Sequence, residues 1–281
     1  MTSTRLALVT GKGGVGKSAV SAAIALAARR GGEKVLAIDM TNGGGLGSHL
    51  GDPDLPFNPR ALGEGLEAMA IDRAKALMEY LRVQMGLPAV ATIGPAVRAF
   101  DAVASTAPAV REVVTMGKVL WEVKRGVWDL VVADAPPTGQ IGSYLRAART
   151  IRELVATGRI LDQVGWMEET LTDPDVTVLT TVTLLEELPA VETAETLDWV
   201  RSEELVGRVR VIANRVLSPL GVPVPAGDGP VVEAAFLHDA LWREQQDWSE
   251  MVPIDHHLPY LFGTHTATEV AERLADLLED Q

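Results

Sequence analysis

Residues Gly11-Lys12-Gly13-Gly14-Val15-Gly16-Lys17-Ser18 constrain this chain more than any other stretch. They fit G-x-x-x-x-G-K-[ST], the phosphate-cradling P-loop pattern. Glycine at 13, 14 and 16 allows backbone conformations and a close approach that a Cβ obstructs. The candidate anion site therefore runs through Gly13, Gly14, Val15, Gly16, Lys17, Ser18 and Ala19. Lys17 is of the right length to reach β- and γ-phosphates, and the Ser18 hydroxyl can join a Mg²⁺ shell. The flanks agree. Leu6–Val9 reads as a buried parallel strand. Ala19–Ala28 reads as a helix stopped by Gly31-Gly32, whose positive end faces the anion.

Lys12 adds a second lysine near the start of the motif, giving K-G-G-x-G-K-[ST]. In this deviant Walker A form the chain resembles the family of MinD, ParA, the arsenite-pump ATPase ArsA and the ATPases of the GET pathway for tail-anchored proteins. The resemblance implies that Lys12 acts in trans, on nucleotide held by a dimer partner.

Further segments extend the resemblance. Lys34–Ile38 reads as a strand ending at Asp39, and strand ends are where open α/β sheets place ligands. Met40–Gly47 corresponds to the family's switch I, which usually carries a carboxylate that orients the attacking water. Here Thr41 stands at that position, and Asp39 at one that supports Mg²⁺ through water. The glycines at 43–45 suggest a loop that is mobile or pressed against something bulky. Val127–Asp134 reads as a strand ending in an acid, matching Walker B with Asp134 toward Mg²⁺. Asp134-Ala135-Pro136-Pro137-Thr138-Gly139 closely resembles switch II of ArsA and GET ATPases, although Gln140 replaces the common histidine.

Toward the C-terminus, Glu186-Glu187-Leu188-Pro189 and Glu192-Thr193 resemble the family's interface segment. Glu186 is its better match for a contact to the nucleotide across a dimer; otherwise these acids cap the following helix. Asn214 ends the Val209–Ala213 strand where the family reads adenine, a role an amide can fill. Pro259, in Leu258–Leu261, falls where the family packs a loop on the base. Met251–Ile254 is expected to form the last strand. His256 and His257 diverge in a strand and lack an evident third ligand, so they do not read as a metal pair.

The remaining helical stretches are Asp72–Met85, Ala89–Phe100, Ala109–Lys124, and Ile141–Thr170 with Gly158 and Gly165 as breaks. They are expected to gather as a subdomain of about 72–125 and 141–170. In the resembled family such a subdomain helps build a groove for hydrophobic client helices. Met78 and Met85 suit such a surface, although core packing explains them as well.

The net charge of −13 argues against a general nucleic-acid partner. There is no cysteine, which removes thiolate chemistry and the soft ligands expected of an arsenite sensor. No run of about 18 apolar residues suggests a transmembrane segment. Met1–Arg5 carries no signal-peptide pattern, so a cytoplasmic location is expected.

Together these readings predict an α/β chain with a doubly wound, mostly parallel sheet, of the deviant Walker A class of P-loop NTPases. All 281 residues are expected to form one ATPase domain with a small helical subdomain. The expected function is ATP binding with Mg²⁺, slow hydrolysis, and dimerisation with itself or a paralogous ATPase. Nucleotide state would act on a surface for a partner, a hydrophobic client or a membrane protein. The alternatives are a degenerate ATP-holding subunit paired with an active paralogue and, more weakly, an arsenite-pump subunit.

Overall fold

The computed structural model describes residues 5–85, 110–154, 159–223 and 226–279. Eight strands form one sheet in the order β3-β4-β2-β5-β1-β6-β7-β8. They are β1 Leu6–Gly11, β2 Val35–Asp39, β3 Arg60–Gly63, β4 Leu66–Ala70, β5 Leu130–Asp134, β6 Thr177–Thr183, β7 Arg208–Val216 and β8 His256–Pro259. Only β3 runs antiparallel to its neighbour. The middle strands β1, β2, β5 and β6 are buried along their whole length. That explains their continuous apolar or threonine-rich spelling, since both sheet faces are covered by helices.

On one face lie α1 (Lys17–Arg30), α2 (Gly45–Leu50) and the C-terminal helix Ala267–Glu279. They share a core with Val9, Val35, Ala37, Val132 and Val182. Alanines at 19, 22, 23 and 25 let α1 press close to the sheet. Arg30 binds Glu272, Asp276 (2.7 Å) and Glu279 (2.9 Å) of the C-terminal helix.

The other face carries α3 (Arg73–Met85), α4 (Val110–Lys124), α5 (Thr138–Leu154) and α6 (Arg159–Thr172). The Asp72 carboxylate caps α3 by accepting from the Lys75 N–H at 3.1 Å. The helices join the sheet in one cluster through Leu8, Ile38, Met116, Leu120, Ile141 and Leu145. Glu122 is fully buried in α4 and meets Lys118, Arg125 and the indole N–H of Trp128. A cavity of about 250 Å³ opens among these helices, lined by Leu77, Tyr80, Val113, Trp121, Ile151 and Met167. Met78 is packed away from it, 4% exposed.

Two more helices complete the described chain, α7 (Glu187–Ser202) and α8 (Pro230–Ser249), so that the C-terminal helix is α9. Gly142 of α5 lies against Trp199 of α7, where a Cβ would come within 2.7 Å of the ring. The Arg146 guanidinium covers the same indole. No residue of α8 is buried, and it is tethered by Gln245, which donates to Arg215 O and accepts from Leu217 N–H.

Several sequence expectations need correction. The last strand is His256–Pro259, and Met251–Ile254 is irregular. Val252 is instead drawn into a small core with Ala190, Leu197 and Val211. Pairing with β7 begins only at Asp255, whose N–H donates to Val211 O at 2.9 Å. Pro253 just before it has no N–H to give a ladder. The short elements α2 and β3 were not anticipated. Gly165 lies inside α6 without interrupting it. The expected helix Ala89–Phe100, the break at Gly158 and the start of the Ala109 helix fall outside the described residues, as does the Met85 side chain. No described helix is long and apolar enough to cross a membrane.

Candidate nucleotide site

The C-terminal ends of β1, β2 and β5 lie side by side, with Val9 and Asp39 each paired with Asp134. The loop after β1 runs directly into α1. Gly16 at its end has φ +93°, and a Cβ there would strike the Asn214 amide, so glycine is required twice over. A Cβ on Gly13 or Gly14 would meet nothing within 4 Å, so the loop's outer side faces open space. Val15 and Ala19 are buried and anchor the loop from below.

Lys17 folds back and donates to the Lys12 carbonyl at 3.2 Å. Burial pulls its ammonium below the ordinary value, against the opposing charges of Asp134 and Glu192. Ser18 Oγ donates to Asp134 Oδ2 at 2.6 Å and Ser21 Oγ to Oδ1 at 3.2 Å. Burial raises the Asp134 carboxyl to about 6; the Ser18 bond opposes this and the neighbouring Asp39 charge adds to it. A buried carboxylate against a serine hydroxyl is a hard-oxygen pair, the type of donor Mg²⁺ takes beside nucleotide phosphates. The residues therefore fit Mg²⁺. Among the described residues no cluster of three or more His, Asp or Glu side chains forms a separate metal centre.

The loop after β2 is organised by Asp39, which is 1% exposed. Its Oδ1 accepts from the Thr41 N–H, the Thr41 hydroxyl (both 2.9 Å) and the Asn42 N–H (2.8 Å). Its Oδ2 accepts from Gly44 N–H at 3.0 Å. The Thr41 hydroxyl is thus spent on Asp39, and most of Asp39 on its own loop. The glycines have a concrete reason at 45: a Cβ there would come within 2.8 Å of Ser18 Oγ, so α2 presses on the P-loop itself.

Beyond β5, Pro136 is buried and its carbonyl accepts from Thr10 Oγ1 at 2.7 Å. Pro137 is half-buried, Thr138 opens α5, and Gly139 is exposed on its first turn. The Thr138 hydroxyl donates to Glu192 Oε1. Glu192 Oε2 binds Lys12 Nζ at 2.9 Å. Burial pushes the Glu192 carboxyl up, but the bonds from Thr138 and Lys12 hold it below the usual range. Lys12 is therefore engaged within its own chain.

Glu186, exposed at the N-cap of α7, lies at the end of β6, the strand beside β1. Asn214 is buried; its Nδ2 donates to Val15 O at 2.8 Å and its Oδ1 accepts from Arg215 N–H at 2.9 Å. The amide supports the P-loop in this arrangement. Pro259 pairs with Val216 in β8, next to exposed Tyr260 and Phe262. Motif reading places Glu192 in the interface segment but prefers Glu186, whereas Glu192 is the acid that meets Lys12. The Glu192-Thr193 pair marks the segment, but only the strand order brings its helix beside the P-loop.

A family model described as anion-transporting ATPase matches residues 4–158. ATPase BagA of Mycobacterium tuberculosis H37Rv is 34% identical over 226 residues, which is 76% of this chain and 66% of that protein. Mb3704 of Mycobacterium bovis, provisionally named an ATPase, matches with the same identity and shares. This chain thus spans about two thirds of the length of the curated relatives it matches. With the P-loop, the acidic end of β5 and the sheet order in place, the chain belongs to the ArsA family of anion-transporting ATPases.

Proposed function

We propose that the chain binds ATP with Mg²⁺ at Gly13–Ala19, hydrolyses it slowly, and pairs with a second ATPase subunit. The observation that carries this reading is the meeting of Lys17, Ser18 and Asp134 at one end of the sheet, beneath a loop that opens outward. Bound Mg²⁺ would supply charge neutralisation at the phosphates, held by Ser18 and Asp134, with Asp39 supporting through its less occupied Oδ2. Lys17 turns from the Lys12 carbonyl to the β- and γ-phosphates. Asn214 keeps the loop in shape through Val15; a role in reading adenine requires its amide to exchange partners. Glu186 and Pro259 are proposed to flank the nucleotide, and Lys12 to serve a partner's phosphates.

Slow turnover follows from Thr41 and Asp39. A threonine hydroxyl is no base at neutral pH, and the Asp39 oxygen nearest it already takes three donors. The same observation favours a second reading, a subunit that holds ATP and leaves hydrolysis to a paralogue. The α3–α6 layer and its apolar cavity support a partner- or client-binding surface under nucleotide control. The lack of cysteine does not support arsenite sensing through thiolates.

The test is titration calorimetry with ATP and Mg²⁺. Lys17→Ala should lose most of the affinity, because the charge facing the phosphates is gone. Unchanged binding in that variant would refute the assignment. Light scattering alongside phosphate release then separates a slow homodimer from a subunit that needs a paralogue.

A further inference from the structure

The two oxygens of the Glu192 carboxylate hold different parts of the site. Oε2 takes Lys12 of the P-loop and Oε1 takes Thr138, the first residue of α5. Glu192 itself sits on α7, whose preceding strand β6 lies beside β1. One side chain thereby ties the P-loop to the segment that follows Asp134. Resting on the ATP reading above, we propose that Glu192 is a positioning residue that clamps Lys12 in cis, and that a nucleoside triphosphate loads by drawing Lys12 out of this clamp.

The energetics suit a clamp that can open. Both side chains are about one third exposed, at 33% and 30%. Pairs with that much solvent contact shift an equilibrium by up to about five-fold. A triphosphate carries several negative charges against the single one of Glu192, and it competes for the same ammonium. Glu192 also acts electrostatically on Lys17, so its charge reaches the phosphate site and opposes an anion there until Lys12 and Mg²⁺ offset it. Loading would strip Glu192 of its lysine and leave Thr138 as its remaining partner. The event at the phosphates is then felt at the first turn of α5.

Two measurements test this. In nucleotide-free protein, acylation by acetic anhydride followed by mass spectrometry reports the reactivity of Lys12, with exposed Lys75 as the internal standard. Glu192→Gln should speed labelling of Lys12 by roughly two- to five-fold and leave Lys75 unchanged. Glu192→Asp, one methylene shorter, should act in the same direction if the glutamine variant folds poorly. An unchanged Lys12 rate in both would overturn the clamp.

The second measurement is ATP·Mg²⁺ affinity. Glu192→Gln should tighten it by about two- to five-fold, and by less in a Lys12→Ala background, where no ion pair is lost on loading. An equal or larger gain in that background would leave only general repulsion and refute the displacement step. If the wild type itself binds no ATP, the ATP reading fails and the loading step with it. The labelling result still decides whether the clamp exists.

Discussion

Asp134→Asn should make the nucleotide-free protein more stable while weakening its Mg²⁺-dependent ATP binding. The carboxyl is buried against Ser18, Ser21 and Asp39, and its value is raised from 3.8 to about 6. A carboxyl raised on folding favours the folded state only while protonated. Stability from this group is therefore full below about 4 and is lost as the pH rises through 6. A difference of about two units costs about 3 kcal/mol above pH 7 and roughly half of that at pH 5. Asparagine keeps the shape without the charge. Its amide can accept from one serine hydroxyl and donate to the other, so no buried group is orphaned. Urea denaturation of both proteins at pH 5 and pH 8 gives the comparison. The variant should be the more stable at pH 8, and the gap should narrow to roughly half at pH 5. Calorimetry on the same samples should show ATP·Mg²⁺ affinity reduced, since a metal oxygen is missing. A variant less stable at pH 8, or a gap that does not change with pH, would refute the argument that Asp134 is held at an energetic cost for its ligand.

Asn214→Ala should leave the buried Val15 carbonyl without its donor, at a cost of about 1–3 kcal/mol. It should weaken ATP and GTP by the same factor, whereas a shifted ATP/GTP ratio in competition binding would show that the amide reads the base. Thr41→Asp should raise phosphate release, on the order of 10²-fold if a water-orienting group is all that is missing. Unchanged turnover with ATP binding intact would place the defect elsewhere and favour the subunit that relies on a paralogue.

What could be read in advance follows the range of the interactions. The P-loop and its flanks are local, so spacing alone located Lys17, Ser18 and the start of α1. Asp134 stood out because Ala135-Pro136-Pro137-Thr138-Gly139 follows it directly; an acidic strand end alone is weak evidence. The engagement of Thr41 by Asp39 spans two residues, yet it depends on a loop conformation that Gly43–Gly45 leave undetermined in sequence. Glu192 meets Lys12 across 180 positions, and Asn214 meets Val15 across 199. No periodicity encodes either contact; they exist because β6 lies beside β1 and β7 beside β6 in the sheet. The last strand was misplaced because Val252 and Ile254 look like strand residues, although packing against Val211 and Trp248 claims them first. The short β3 has no apolar alternation to announce it, its residues being mostly exposed on the sheet's edge.

The close approach of Gly142 to Trp199 marks a point on α5 between its two ends. Thr138 lies four residues to one side of it and Ile151 nine residues to the other, at the wall of the 250 Å³ cavity. At 1.5 Å per residue these distances are about 6 Å and 14 Å, a ratio of roughly two. A shift of about 0.5 Å at Thr138 would swing Ile151 by about 1 Å in the opposite sense, provided the helix tilts about that point as a rigid rod. The absence of a side chain at 142 lets α5 approach the Trp199 indole closely. Any added side chain there would force the indole or the helix to shift.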